Sequence, residues 1–557
     1  MDDVKIFFSL IDYILFAAML LCSVLIGLYF GFCGKKQTPE EYLLGGKSMK
    51  VFPVGLSLIA THVSGLTLLG VPSDVYFYGA NYVWICVTLV LICILTCYVY
   101  LPVLIKLKVP SVFEYLKLRF GKHSRMFASF LFMLQVFVYI PIVAFIPAIA
   151  LAQASGIYVH YITPVIGLIC VFYTTIGGFK AVVWTDALQF IGIVGSVAVV
   201  FCLGIISVGG FDIIWQRALE GQRLDIFDYT LDPTVRDGIW PILMGGTIHW
   251  LANVCFLPGS VQKYLSVSKL CNARKVAYML CGGLIVLKAF SVITGIIVYA
   301  KYYYCDPISS GAVTRRDQIL PYFVMDVAGN IPGLPGVFIA GIFSAALSTM
   351  SSSYNALAVT IYGDFISSYI STEVSQRWSK VILQVIVAIC GTICIVLTLL
   401  MDYMGTLLAF ANASIGAING LLAGMFTLGI IFPRANTKGV IWGSAISFLC
   451  TLSVSVLNQW YKIQGTVETF EKPVSVKGCS VFVNATIPKL ILKEDQPFVL
   501  YRLSIWYNPV ISFTLVVIIG LIVSQITKKD EKLDDDLIAP ISKMFIKPQE
   551  IELSAMS

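Results

Sequence analysis

Charge is what this chain has least of. Asp, Glu, Lys and Arg make up 12% of its 557 residues while 58% are hydrophobic, against about 25% charged in ordinary soluble domains. Too few charges are available to cover a solvated surface, which excludes a cytosolic enzyme, a nucleic-acid binder and a secreted scaffold. There are four histidines, none paired at metal-ligand spacing, and no Cys-x-x-Cys. No cofactor motif and no nucleophile beside a base stands out, so nothing points to an enzyme. Most of the fifteen cysteines lie inside apolar runs, as Cys86, Cys93, Cys97, Cys170 and Cys202 do, where a thiol behaves as a small hydrophobe. The net charge of +7 reads as insertion geometry rather than as a sign of an acidic partner.

What is present is hydrophobic length. Apolar stretches run over roughly 9–33, 51–72, 79–105, 126–153, 157–176, 182–208, 239–259, 276–302, 336–370, 380–401, 404–432, 439–460 and 505–526, each near the length of about 20 residues that spans a bilayer as a helix. The first follows Asp2 and Asp3 rather than a basic leader, has no obvious cleavage site and is too long for a signal peptide, so it is expected to stay as a helix. The runs lack period-two alternation and are twice a barrel strand's length, which predicts an all-α membrane protein with thirteen transmembrane helices. Of the 38 Lys and Arg residues, 24 fall in loops after odd-numbered spans, Lys35, Lys106 and Lys263 among them, and 13 fall opposite, with Lys288 inside a span. The positive-inside rule then places the N-terminus outside and the tail in the cytoplasm. The one extramembranous glycosylation sequon, Asn484-Ala-Thr486, lies in the 461–504 loop on the outer side of that topology and is the expected glycan acceptor.

Two spans are unusually broken: 51–72 holds Pro53, Gly55, Gly65 and Gly70-Val71-Pro72, and 239–259 holds Pro241, Gly245-Gly246 and Pro258-Gly259. They lie five spans apart and so enter the membrane from opposite sides. Matched broken helices of this kind mark the midplane site of an inverted-repeat transporter, because unwound backbone frees carbonyls and helix ends for ligands. Helix packing through small residues is the competing explanation.

The stretch Gly177-Gly178-Phe179-Lys180-Ala181-Val182-Val183-Trp184-Thr185-Asp186-Ala187-Leu188-Gln189 resembles the GG-x-KAV-x-WTD-x-x-Q signature of the sodium/solute symporter family. Gly70 to Tyr76, Pro110 to Leu116, Gln262-Lys263-Tyr264, Leu334 to Phe338 and Leu347-Ser348-Thr349 are similar to one branch of it, whose members carry monocarboxylates, vitamins and iodide. The resemblance implies a LeuT-type inverted five-helix repeat: helix 9–33 before the core, a core of about 51–432, helices 439–460 and 505–526 after it, all one transporter domain over 1–526, and a cytoplasmic tail over 527–557. It also implies a plasma-membrane symporter that moves a small anionic substrate with Na+. Iodide, a neutral solute such as a sugar, and a non-transporting sensor or leak channel are the alternatives.

Sodium is a hard cation and takes five or six oxygens. Serines crowd one span, at Ser344, Ser348, Ser351, Ser352 and Ser353; their hydroxyls serve a cation, or bond back to the carbonyl four residues earlier. The resemblance selects Ser348 and Thr349 hydroxyls with the carbonyls of Ala345, Ala60 and Val63 as one sodium site. It places Asp186, with Gln189 one turn on and Ser352 nearby, at a second. Substrate candidates flank the breaks: His62 and Thr67 on the second span and Trp250 on the seventh, with Tyr139 matching a family tyrosine near ion and substrate. His62 is otherwise a hydrogen-bonded structural residue, and Trp250 otherwise packing. Where relatives carry Asn-Gln-Ala-Gln-Val-Gln after the seventh span's break, this chain reads Leu257-Pro258-Gly259-Ser260-Val261-Gln262. Lys288 stands mid-span where a vitamin-type relative has a neutral amide; it either lines the cavity or forms a buried pair. Cys305 and Cys479 match cysteines of the iodide-type relative and fall in outer loops, where a disulfide persists or two free thiols remain.

Overall fold

The computed structural model describes residues 8–33, 41–42, 45–107, 111–366, 376–401, 405–467, 470–479, 496–527 and 534–545. Asn484 lies outside them. Among the described residues there is no strand, and eleven helices are long and apolar enough to cross a bilayer. A bent pair, Val51–His62 with Leu66–Tyr78 at 58°, makes a twelfth crossing. The remaining expected crossing is found inside Val159–Val208, which is 50 residues long. Gly178 divides it with φ 63° and ψ −162°, a backbone that only glycine adopts readily. A Cβ at Gly178 would also stand 2.5 Å from the Tyr42 ring. The expected spans 157–176 and 182–208 therefore meet at the Gly177-Gly178 motif, and every one of the thirteen apolar runs has its helix.

The two breaks have local causes. Val51–His62 stops where Val63 turns extended at φ −97° and ψ 95°, so the carbonyls of its last turn have no amide of the same helix to accept from. In the second, Ile239–Phe256 ends at Leu257, extended at φ −66° and ψ 126°. The residue before a proline is pushed out of the helical region, and Pro258 then opens Pro258–Leu265 as a first-turn proline.

The helix Leu334–Ile366 packs along Val159–Val208 through small residues. A Cβ on Gly341 would lie 2.2 Å from Ser196 Cβ and 2.7 Å from the Gly192 carbonyl, a spacing that brings backbones and serine hydroxyls together in the centre of the bundle. Around the periphery Leu10, Ile14, Ile206 and Ile526 are exposed, as side chains facing lipid are. On one end of the bundle the structure joins Cys305 to Cys479. The same end is tied by Asp306 N–H to Ser475 O at 2.9 Å, Arg316 to Glu471 at 2.5 Å and the buried Arg223, which donates to Tyr76 O at 3.1 Å and Pro473 O at 2.8 Å. On the other end part of the expected tail folds back: Ala539 N–H reaches Ile430 O at 2.9 Å and Tyr115 donates to Leu537 O at 3.0 Å.

Candidate substrate and ion sites

The first break faces the serine-rich helix. Thr349 Oγ1 lies 2.9 Å from Thr61 O and 3.0 Å from Ala345 O, and Ser348 Oγ lies 3.4 Å from Thr61 Oγ1. One hydroxyl proton thus serves two carbonyls, so three oxygens are drawn together at one point. Of the residues expected to hold sodium, Thr349 and Ala345 meet here, and Ala60, Val63 and Ser348 are fully buried around them. The carbonyl of the first broken helix that Thr349 touches is Thr61, next to Ala60 in the chain.

Asp186 is also fully buried. Its Oδ2 accepts from Ser57 Oγ at 2.8 Å and Ser352 Oγ at 3.1 Å. The expected cluster of Asp186 and Ser352 is therefore assembled, but its cation is a side chain. Lys263 Nζ lies 2.9 Å from Asp186 Oδ2, 2.5 Å from Thr61 Oγ1, 2.9 Å from Ser352 Oγ and 3.2 Å from Ser57 O. Lys263, expected in a loop, is instead 1% exposed, because the half-helix after the break packs inward against Asp186 and the serine-rich helix. Removing it from the 24 does not reverse the charge bias. Gln189 points elsewhere, its amide donating to Ser23 Oγ on the first span at 3.3 Å. The only signals for Lys263 in the sequence were its place in Gln262-Lys263-Tyr264 and its distance of five residues from a helix-opening proline.

Between the breaks lies a cavity of about 620 Å³ lined by His62, Thr67, Gln135, Tyr139, Trp250 and Lys288, among others. All four expected substrate residues face it. His62 Nε2 lies 2.9 Å from Ser260 Oγ, and that hydroxyl donates to Asn253 O at 2.8 Å, so the imidazole is the donor and pins one break to the other. His62 thus lines the cavity and is hydrogen-bonded at the same time. Trp250 sets its ring edge to His62 with centroids 6.1 Å apart. Lys288 is 1% exposed. Its ammonium donates to Tyr82 Oη at 3.0 Å and sits 4.4 Å from the Trp250 ring centroid. Among the described residues no carboxylate stands within ion-pair distance of it, whereas Arg236 at the cavity mouth has Asp74 at 2.9 Å. At the depth of His62 and Trp250 the cavity wall thus presents the Lys288 cation, held by aromatic faces.

Residues 42–447 match the model of the sodium:solute symporter family. The chain is 34% identical over 537 residues to sodium-coupled monocarboxylate transporter 2 of Danio rerio, covering 95% of this chain and 85% of that protein. It is 35% identical over 534 residues to sodium-coupled monocarboxylate transporter 1 of Homo sapiens, covering 93% and 87%. A solved structure of a Na+-coupled sialic acid symporter in a substrate-bound outward-open state superposes with a TM-score of 0.77 at 22% identity, over 94% of this chain and all of that one. That likeness establishes the fold, an all-helical LeuT-type inverted repeat, and the chain belongs to the sodium:solute symporter family, transporters rather than enzymes, with Na+ as the coupled ion.

Proposed function

We propose that this protein imports small organic anions, monocarboxylates or vitamin-like carboxylates, across the plasma membrane together with sodium by alternating access. The observation that carries the reading is the Lys288 ammonium in the cavity wall with tyrosine and tryptophan for neighbours and, among the described residues, no carboxylate within ion-pair distance. A carboxylate substrate supplies the missing anion, and the relatives named for monocarboxylates agree with that chemistry. His62, Thr67, Tyr139 and Trp250 bound the rest of the substrate. Sodium sits at the first break with Ala60, Val63 and Ala345 carbonyls and Ser348 and Thr349 hydroxyls as ligands, so that its charge holds the bent helix against Leu334–Ile366.

The cavity extends from this depth to Thr234, Arg236, Arg502 and Ser504, on the end that carries the disulfide. Disulfides persist outside the cell, so the N-terminus is extracellular, the Asn484 loop is outside and glycosylated, and the conformation is outward-facing. The opposite end is closed by Arg125, which bonds Asp364 Oδ1 at 2.6 Å and Gly363 O at 2.8 Å and pairs with Glu114. Charge balance sets how far the substrate can be concentrated. One sodium with one monoanion is electroneutral and yields about 1.4 kcal/mol per tenfold sodium gradient. Each extra sodium adds that amount again and roughly 2.3 kcal/mol per 100 mV.

Radiotracer uptake of lactate, pyruvate, nicotinate, biotin, pantothenate, iodide and glucose, with sodium present or replaced by choline, tests the reading. Sodium-dependent uptake of at least one carboxylate is expected. Uptake confined to glucose or iodide, or indifferent to sodium, would overturn it.

A further inference from the structure

The oxygen cluster around Asp186 is built for a cation that the chain itself provides. Its donors are a carboxylate, two hydroxyls and a backbone carbonyl, the set a sodium ion takes. All four lie within 3.2 Å of Lys263 Nζ. An ammonium has three protons and no acceptor, and here every direction it can donate in is met by oxygen. Asp186 Oδ2 is crowded as well, by Ser57, Thr61, Ser352 and Lys263, while Oδ1 faces Ser351 Oγ at 3.4 Å. The lysine side chain is 2% exposed and the aspartate side chain 0%.

The lysine is also held there from its own backbone. Pro258–Leu265 is fastened just ahead of the residue, by Ser260 Oγ to His62 Nε2 at 2.9 Å and by Asn355 Nδ2 to Gln262 Oε1 at 3.1 Å, and just past it Met49 N–H donates to Ser266 O at 3.1 Å. Its neighbours therefore fix the ammonium's reach. At the first break the hydroxyls of Thr349 and Ser348 and the carbonyls of Thr61 and Ala345 meet, and among the described residues no basic side chain is hydrogen-bonded to those four oxygens; Lys263 bonds the neighbouring Thr61 hydroxyl at 2.5 Å instead. The two cation positions of the protein are chemically unlike: one has oxygens and no side-chain charge, the other oxygens with a charge already among them.

We propose that Lys263 is a tethered cation that occupies the second ion position permanently, so that the protein binds and carries a single sodium ion, at the first break. This rests on the symporter reading above and sharpens it. A second sodium at Asp186 would have to share the same four oxygens with an ammonium less than an ion-pair distance away, in an interior where like charges repel strongly. With a monoanionic substrate the coupled step is then electroneutral, and a tenfold sodium gradient supports only about tenfold accumulation.

The decisive measurement is the number of radioactive sodium ions bound at saturation by the purified full-length protein. The wild type is expected to bind one per chain, Lys263→Arg one, Lys263→Ala two, and Lys263→Ala with Asp186→Ala one again. Two ions on the wild type would overturn the proposal, as would Lys263→Ala that stays monodisperse and still binds one. No saturable sodium binding by the wild type would instead remove the symporter reading itself. If Lys263→Ala fails to fold, the wild-type number still decides, together with the charge moved per lactate taken up, expected to be near zero. One net charge or more per lactate would overturn the tethered-cation assignment.

Discussion

The indole of Trp250 lies beneath the ammonium of Lys288, 4.4 Å from ring centroid to nitrogen, and Tyr82 accepts a hydrogen bond from the same group at 3.0 Å. A lysine in a membrane-spanning segment is costly unless something compensates it, and here the compensation is one hydroxyl and π electrons, which leaves electrostatic capacity for an incoming carboxylate. A hydrogen bond to a charged group is worth about 1.5–3 kcal/mol. Lys288→Gln should therefore raise the half-saturating concentration of a carboxylate substrate by roughly tenfold to a hundredfold. Uptake titrations at saturating sodium check it; unchanged affinity with normal surface expression would leave Lys288 a purely structural cation.

Thr349 presents the hydroxyl by which the serine-rich helix bonds the last-turn carbonyl of Val51–His62, at Thr61 O. Removing it takes one ligand from the ion and leaves the carbonyls in place. Thr349→Ala should raise the sodium concentration for half-maximal uptake by about tenfold, the equivalent of roughly 1.4 kcal/mol, with little change in substrate affinity once sodium is saturating. Sodium activation curves for the two proteins decide the matter.

Much of this was legible in the sequence because bilayer chemistry writes itself in long runs. The thirteen apolar stretches each became a helix, and the breaks at Val63 and Leu257 fell where glycine and proline interrupt the second and seventh runs. Gly178 shows a signature glycine with a plain steric reason. What the linear pattern hid was the inward turn of a charged half-helix. Lys263 looked like one more basic residue at a membrane edge, and only the packing of Pro258–Leu265 against His62 and Asn355 carries it to Asp186. Gln189 failed for the opposite reason. A helix places residues three apart on neighbouring faces, but the first span, packed alongside, offered it Ser23 instead.

Cys305 and Cys479 are 174 residues apart in sequence, so their bond closes a large loop across the extracellular end of the proposed topology. Losing a native disulfide commonly costs about 2–5 kcal/mol. Cys305→Ser should lower the thermal unfolding temperature, and peptide mapping without reduction should recover the two cysteines linked. A membrane-impermeant reductant should reach the bond when added outside intact cells; protection from the outside with reduction only after permeabilisation would reverse the assigned orientation.

The Asp186 and Lys263 pair gives the sharpest stability test. Both side chains are out of contact with solvent, and taking one charge away strands the other in a low-dielectric interior. Breaking a buried pair in this way costs about 3–5 kcal/mol, whereas replacing both partners by apolar groups of similar size is often nearly neutral. Asp186→Asn should therefore destabilise the protein strongly, since the amide still accepts a hydrogen bond but no longer balances the ammonium. Lys263→Met combined with Asp186→Asn should recover most of the loss, because the hydroxyls of Ser57, Thr61 and Ser352 can bond to the amide and to one another. Thermal unfolding of the three purified proteins at fixed sodium measures the coupling. If the double variant is no more stable than Asp186→Asn alone, the two charges are not balancing each other, and the aspartate's role would lie with its serine donors rather than with the lysine.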